Sequence, residues 1–218
     1  MNPNRLKQEI ISRHKHGIKR TLMVESSPGL GKTQIVKQCA KEMKVGFKVV
    51  HAPLLNPEDY GIPVVKGKDR DNLDFVVSAE KFPLENSDCP ETGIFLIDEL
   101  PQSDNNCQKA LANLIQEREI HGHYLKKGWT IVATGNKQQH RSGANKILGH
   151  LANRMTRVEL EVSLDDWCEW ALTNGVKPEV IAFLRFRPDL LSNYEANQEI
   201  NATPRAWAEG VAANLGIT

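Results

Sequence analysis

Short runs rich in apolar residues alternate along the chain with longer stretches of helical periodicity. The short runs are "TLMVES" (21–26), "FKVVHA" (47–52), "GIFLIDEL" (93–100), "WTIVATGN" (129–136) and "RVELEV" (157–162). The third, "GIFLIDEL", is nearly all apolar, as expected for a strand covered on both faces. Between them, "TQIVKQCAKEM" (33–43) reads as an amphipathic helix. "NNCQKALANLIQERE" (105–119) does the same, with Ala110, Leu111, Leu114 and Ile115 at helical spacing. Strands alternating with helices predict an α/β layer fold around a mainly parallel, five-stranded sheet.

The pattern changes at Ser163. "SLDD" offers a hydroxyl N-cap with Asp166 three residues on, a variant of the capping box, and the helix it starts should stop near Asn174-Gly175. Only helical signals follow: "PEVIAFLRF", "DLLSNYEAN" and "TPRAWAEGVAANL", the last with Thr203 as cap and Pro204 in the first turn. An α/β core of residues 1–162 is therefore expected to carry a small all-helical piece, 163–218. One segment stands apart. "IPVV" (62–65) and "LDFVV" (73–77) flank the polar "KGKDRDN", as in a hairpin projecting from the sheet or a surface loop.

Composition adds limits. With 218 residues, 40% apolar and 25% charged, the chain can bury one good core. A net charge of +1 announces neither nucleic acid nor a membrane as partner. Arg5, Lys7, Arg13, Lys15, Lys19 and Arg20, opposed only by Glu9, form a local basic excess, readable as a solvated helix face or a polyanion site. Cys39, Cys89, Cys107 and Cys168 form no C-x-x-C pair and read as reduced thiols of a cytoplasmic protein. His14/His16 and His121/His123 have no partner cluster at zinc spacing and read as surface or turn residues. No apolar run approaches membrane-span length and no signal-peptide core opens the chain.

The chemistry concentrates in "MVESSPGLGKT" (23–33). It nearly fits the phosphate-loop pattern G-x-x-x-x-G-K-[ST], with Ser26 in place of the first glycine. A strand ending at Ser26 and a helix starting near Lys32 give the context such a loop requires. Gly29 and Gly31 let the backbone turn so that N–H groups of Ser27, Gly29, Leu30, Gly31, Lys32, Thr33 and Gln34 can surround phosphate oxygens, with Pro28 contributing only its fixed geometry. Lys32 would reach the β- and γ-phosphates and the Thr33 hydroxyl would ligate Mg²⁺. The third strand drives Asp98 and Glu99 to the carboxyl end of the sheet, where open α/β sheets bind ligands. Asp98 is placed to hold Mg²⁺ through its waters, and Glu99 to orient and deprotonate a water for attack on the γ-phosphate.

The order of these motifs resembles that of AAA+ ATPases, and in detail the MoxR-type branch in a minimal, single-module form. "SSPGLGKT" is similar to its Walker A motif and "IFLIDEL" to its Walker B motif with catalytic glutamate. "ATGN" ends the next strand where the family keeps a sensor 1 residue, here Asn136. "LANRMTRVEL" is similar to the finger segment, with Arg154 preferred over Arg157, on a helix ahead of the fifth strand. "TPRAW" is similar to sensor 2, here Arg205, and "NPEDYGIP" with the candidate hairpin resembles an insert in helix 2. The resemblance implies a three-layer αβα P-loop core with a C-terminal helical lid, binding ATP and Mg²⁺. Asn136 would contact the attacking water or the γ-phosphate, or else close a strand-end turn. Arg154 would enter a neighbouring subunit's site, which implies a hexameric ring. Arg205 would sense the γ-phosphate or pair locally. Such rings remodel protein clients, often with a von Willebrand A-domain partner; a nucleic-acid-associated motor or loader is the alternative. Lys66 and Lys68 at the hairpin tip would face the client. No guanine-reading N-K-x-D string occurs, and Leu6 and Ile10 are candidates to pack on an adenine base.

Overall fold

The computed structural model describes residues 1–66, 72–137, 147–195, 198 and 201–214. In chain order the elements begin α1 (Pro3–Lys15), β1 (Leu22–Ser26), α2 (Lys32–Met43), β2 (Gly46–His51) and a short α3 (Pro57–Tyr60). A hairpin of β3 (Ile62–Lys66) and β4 (Asn72–Val76) precedes β5 (Thr92–Asp98) and α4 (Asn105–Glu117). Then come two-residue strands β6 (Glu119–Ile120) and β7 (His123–Tyr124), followed by β8 (Gly128–Asn136), α5 (Gly149–Ala152) and β9 (Thr156–Glu159). The chain continues into α6 (Leu164–Thr173) and α7 (Pro178–Phe186).

All five apolar runs form strands, and they pair in parallel in the order β2-β5-β8-β1-β9. Burial on both faces explains the apolar character of the central strands β1, β5 and β8, while the edge strands β2 and β9 are only partly buried; the period of two still divides the core. Met23, Phe95, Ile97, Ile131 and Ala133 face one layer with Leu111, Leu114 and Ile115 of α4. Leu22, Val24, Ile94, Leu96 and Val132 face the other, packed on Ile35, Val36 and Cys39 of α2 and on Leu6 and Ile10 of α1. This is the three-layer α/β architecture expected from the sequence. Its parallel strands all end on one edge, so the segments leaving β1, β5 and β8 meet there.

Helices α1, α4 and α6 start on side-chain caps. The Asn2 side chain accepts from Arg5 N at α1, and Asp104 accepts from Cys107 N at 2.7 Å at α4. At α6 the Ser163 hydroxyl accepts from Asp166 N at 3.3 Å. The Asp166 carboxylate does not close a capping box but accepts from the Asn4 backbone and side chain at 3.0 and 3.2 Å, tying α6 to α1. Beyond β9, a third apolar cluster gathers Trp167, Cys168, Ala171, Val180, Ile181, Leu184 and Leu191. The described part of "DLLSNYEAN", residues 189–195, is not the expected helix: a single 3₁₀ turn, Pro188–Leu190, is followed by a bridge between Asn193 and Ala202. Asn201 accepts from Glu195 N at 2.7 Å, one of the short polar side chains that offer the backbone an alternative to helical bonds. The last helical segment is capped by Thr203 Oγ1, which accepts from Ala206 N at 3.1 Å. It is mostly π-helical (Ala206–Val211) before a final turn, Ala212–Asn214.

The hairpin is real. Strands β3 and β4 pair antiparallel from Ile62–Val76 to Lys66–Asn72, leaving Ile62, Val65, Leu73 and Val76 exposed; Lys68 lies outside the described residues. Its base is braced by both histidines of "HGH": His123 Nε2 hydrogen-bonds Phe75 O at 2.8 Å and the His121 ring stacks on Phe75 with centroids 4.0 Å apart.

Candidate functional site

Chain leaving β1 turns at Gly29 (φ 77°) and Gly31 (φ 80°), left-handed conformations that glycine adopts at no steric cost. Gly31 is the N-cap of α2 and, unlike the caps of α1, α4 and α6, supplies no side-chain acceptor; no acid lies in the first turn. The first N–H groups of α2 and its positive dipole end are thus open to an anion. Lys32, at the head of that helix, is only 9% exposed. Its ammonium donates to Ser26 Oγ at 2.8 Å, Asn136 Oδ1 at 3.0 Å and Ser27 O at 3.4 Å. The departure at Ser26 therefore does not obstruct the loop: its hydroxyl is fully buried, donates to Ser27 O at 2.7 Å and gives Lys32 an acceptor. Burial pushes the Lys32 ammonium down to about 8; the charges of Asp98 and Glu99 oppose that shift and Arg205 adds to it.

Two acids stand beside the loop. Buried Asp98 ends β5 next to the start of α2 and accepts from Thr33 Oγ1 at 2.9 Å through Oδ2. Its other oxygen, Oδ1, takes a short hydrogen bond from Thr134 Oγ1 of β8. Glu99 leaves the strand with φ 58°, a left-handed conformation costing a non-glycine residue roughly 1–2 kcal/mol. Its side chain is exposed at the edge of the sheet. Among the described residues no group of three or more His, Cys, Asp and Glu could hold a metal. One hydroxyl and one carboxylate instead fit Mg²⁺, which keeps waters and takes phosphate oxygens as ligands. Sequence reasoning missed two neighbours, Thr134 and His51, whose Nδ1 lies 3.5 Å from Asp98 Oδ2. Both were findable by aligning strand ends: His51 is paired in register with Asp98, and Thr134 shares a strand face with Asn136.

The C-terminal helices close over the loop. Arg205 N donates to Gly29 O at 3.1 Å, and a Cβ added to Gly29 would lie 2.6 Å from Thr203 Cβ and Oγ1. The Arg205 side chain is exposed on the rim of a cavity of about 340 Å³ bounded by the loop, the start of α1, and α6. Pro3, Asn4 and Lys7 line it from α1 and Trp167 and Trp170 from α6. Leu6 and Ile10 do not: both are fully buried against α2, because the inner face of α1 packs on the sheet layer and only Pro3, Asn4 and Lys7 of this helix reach the cavity.

Arg154 is not on a helix, since α5 ends at Ala152, but in the turn before β9. It stands at the amino edge of the sheet, two residues before Thr156, which pairs with Leu22; the loop begins after Ser26 at the opposite edge. Four strand positions, about 13 Å, separate the level of Thr156 from that of Ser26, and Arg154 lies in the turn before Thr156. Arg20 Nη2 donates to the carbonyls on either side, Asn153 O at 2.8 Å and Met155 O at 3.2 Å, and so clamps the turn. Arg157 is engaged otherwise, in a bidentate pair with Glu25 at 2.7–2.9 Å.

Solved structures share this fold. A protein of Cytophaga hutchinsonii provisionally described as an ATPase superposes with a TM-score of 0.55 at 18% identity, covering 88% of this chain and 59% of its own. A lysine-to-arginine mutant of Thermotoga maritima RuvB gives 0.55 at 17%, covering 94% and 57%. A proline-to-glycine mutant of the same RuvB gives 0.50 at 18%, covering 86% and 51%. The chain thus spans between about half and three fifths of the length of these proteins. No curated protein sequence matches it. Among the described residues no helix is long and apolar enough to cross a membrane. The family model of the ATPases associated with various cellular activities matches residues 21–147, more than half of the chain and the segment that builds the loop, both acids and Asn136. The chain belongs to that AAA ATPase family.

Proposed function

We propose that the protein is a MoxR-like ring ATPase that couples Mg-ATP hydrolysis to remodelling of a protein client. One observation carries the reading: the uncapped, glycine-turned start of α2, with Lys32 at its head, lies against a strand end bearing Asp98 and Glu99. The triphosphate would lie along residues 27–34 and the purine in the cavity beside Trp170. Thr33 and Asp98 would hold Mg²⁺, which would offset charge on the phosphates. Glu99 would take the proton of the attacking water, and Asn136, now an acceptor for Lys32, would turn to the γ-phosphate or that water. Residues 1–162 would act as the nucleotide-binding core and 163–218 as a lid, with Arg205 linking lid position to the phosphate.

The position of Arg154 supports action between subunits. It stands at the opposite end of the strands from its own loop, so its charge would act on a second copy's phosphates rather than on its own chain's. A heterologous contact of this kind must close into a ring or grow into a filament, and on the MoxR pattern it would close into a ring of six copies. The exposed hairpin would face the client, and a separate protein such as a von Willebrand A-domain partner would choose it. The nucleic-acid alternative has less support. Arg13 bonds Glu9 and Arg20 O, Lys19 bonds Lys127 O, and Arg20 clamps the Arg154 turn, so half of the basic stretch is engaged within the chain. Calorimetry with Mg-ATP tests the reading. Wild type should bind and turn over, Lys32→Ala should not bind, and Glu99→Gln should bind without turnover. Absence of binding by the wild type, or normal turnover by Glu99→Gln, refutes it.

A further inference from the structure

Asp98 and Glu99 are consecutive, and consecutive side chains on a strand point to opposite faces. Both carboxylates can serve one site only if the strand breaks between them. It does: Glu99 adopts φ 58°, which ends β5 and turns the glutamate out to the edge. A backbone break beside a buried carboxylate leaves an N–H to satisfy and a carboxylate to orient, and the neighbouring strand meets both needs with one atom. Strand β8 pairs with β5 up to Ile97–Ala133, which brings Thr134 alongside Asp98. The Thr134 side chain is fully buried. Its Oγ1 accepts from Glu99 N at 3.2 Å and donates its single proton to Asp98 Oδ1.

The two bonds are directional and depend on each other. A hydroxyl carries one proton and can accept while donating, a combination a methyl, an ammonium or an indole N–H cannot supply. With the Glu99 N–H pointing at the oxygen, the Thr134 proton is directed to Asp98. With Asp98 Oδ1 so occupied, Oδ2 is the oxygen left facing Thr33 and the cation position. We infer that Thr134 is a positioning residue for both acids, aiming Asp98 Oδ2 at the metal and holding the backbone turn that presents Glu99 to the attacking water. The inference rests on the proposed ATPase reading. It assigns Thr134 no contact with nucleotide; the residue acts through its two neighbours.

Thr134→Val keeps the shape and removes the hydroxyl, and Thr134→Ser keeps the hydroxyl. Turnover of saturating ATP should fall about 10–100-fold in the Val variant, the range seen when a supporting partner of a metal ligand is removed. The Mg²⁺ concentration giving half-maximal rate should rise about tenfold, while ATP binding at saturating Mg²⁺ changes less than about threefold. The Ser variant should recover to within about threefold of wild type. A folding role alone would lower the thermal midpoint but leave the rate per folded molecule and the Mg²⁺ dependence unchanged, and that result overturns the inference. So does a Ser variant as impaired as Val. Should the Val variant not fold, Thr134→Cys, with a weaker donor and acceptor in similar space, carries the test, and a wild-type rate and Mg²⁺ dependence there overturns the inference. A wild type that never hydrolyses ATP overturns the ATPase reading itself; an active wild type with an unaffected Val variant overturns only the role of Thr134.

Discussion

Gly29 and Gly31 have nearly the same backbone angle but different surroundings, which allows the packing of the C-terminal helices on the loop to be measured apart from backbone strain. At either position an alanine must adopt a left-handed conformation, costing roughly 1–2 kcal/mol. At Gly31 the new Cβ meets nothing within 4 Å, so Gly31→Ala should cost that amount and no more in the nucleotide-free protein. At Gly29 the Cβ would lie 2.6 Å from Thr203 Cβ and Oγ1 and 2.8 Å from Cγ2, so the 203–205 segment must move away. Overpacking of this kind adds roughly 1–3 kcal/mol, for a total of about 2–5 kcal/mol. Urea unfolding with linear extrapolation measures both losses, provided the slopes agree. In a Thr203→Gly background, which forfeits the hydroxyl cap of Ala206 in both arms of the cycle, Gly29→Ala should fall back to the cost of Gly31→Ala. Equal losses for the two alanines in the original background, or a cycle without coupling, would show that the C-terminal segment does not press on the loop.

Lys32 predicts a pH dependence. Its pKa is about 8 when folded against 10.5 in the unfolded chain, so between these values the unfolded chain binds more protons and stability rises with pH. Between pH 7.5 and 9.5 the empty protein should gain on the order of 2 kcal/mol relative to Lys32→Met, and parallel curves for the two proteins would refute this. Mixing Lys32→Ala with Arg154→Ala subunits should restore part of the ATPase rate through hybrid interfaces, and no recovery at any ratio would argue against a shared finger. Arg20→Ala should release the Asn153 and Met155 carbonyls and lower turnover about tenfold or more, leaving ATP affinity in place; unchanged turnover would show that the turn needs no clamp.

What the sequence made legible was local. The central strands β1, β5 and β8 could be read because each is an apolar run buried on both faces, and the phosphate loop because its glycines, Lys32 and Thr33 are close together in sequence. Helix starts at Ser163 and Thr203 were legible from their cap residues. The failures involve partners distant in sequence or competition between local structures. Thr134 and His51 acquire meaning only when β8 and β2 are laid beside β5. Leu6 and Ile10 look available for a base until α2 covers them. The apolar residues of "DLLSNYEAN" suggest a helix, but Pro188 opens a 3₁₀ turn and Asn201 bonds the backbone of Glu195. Arg154 falls outside α5 because that helix is a single turn.

The placement of Arg154 on the rim far from the loop has a consequence for control. On the proposed reading, a solitary molecule owns every group for hydrolysis except the one it can lend only to a neighbour. Dilution then acts as an off switch: below the assembly threshold the chain would retain nucleotide without consuming it. Specific activity should therefore climb with protein concentration until rings close, and fuel would be spent only where copies gather.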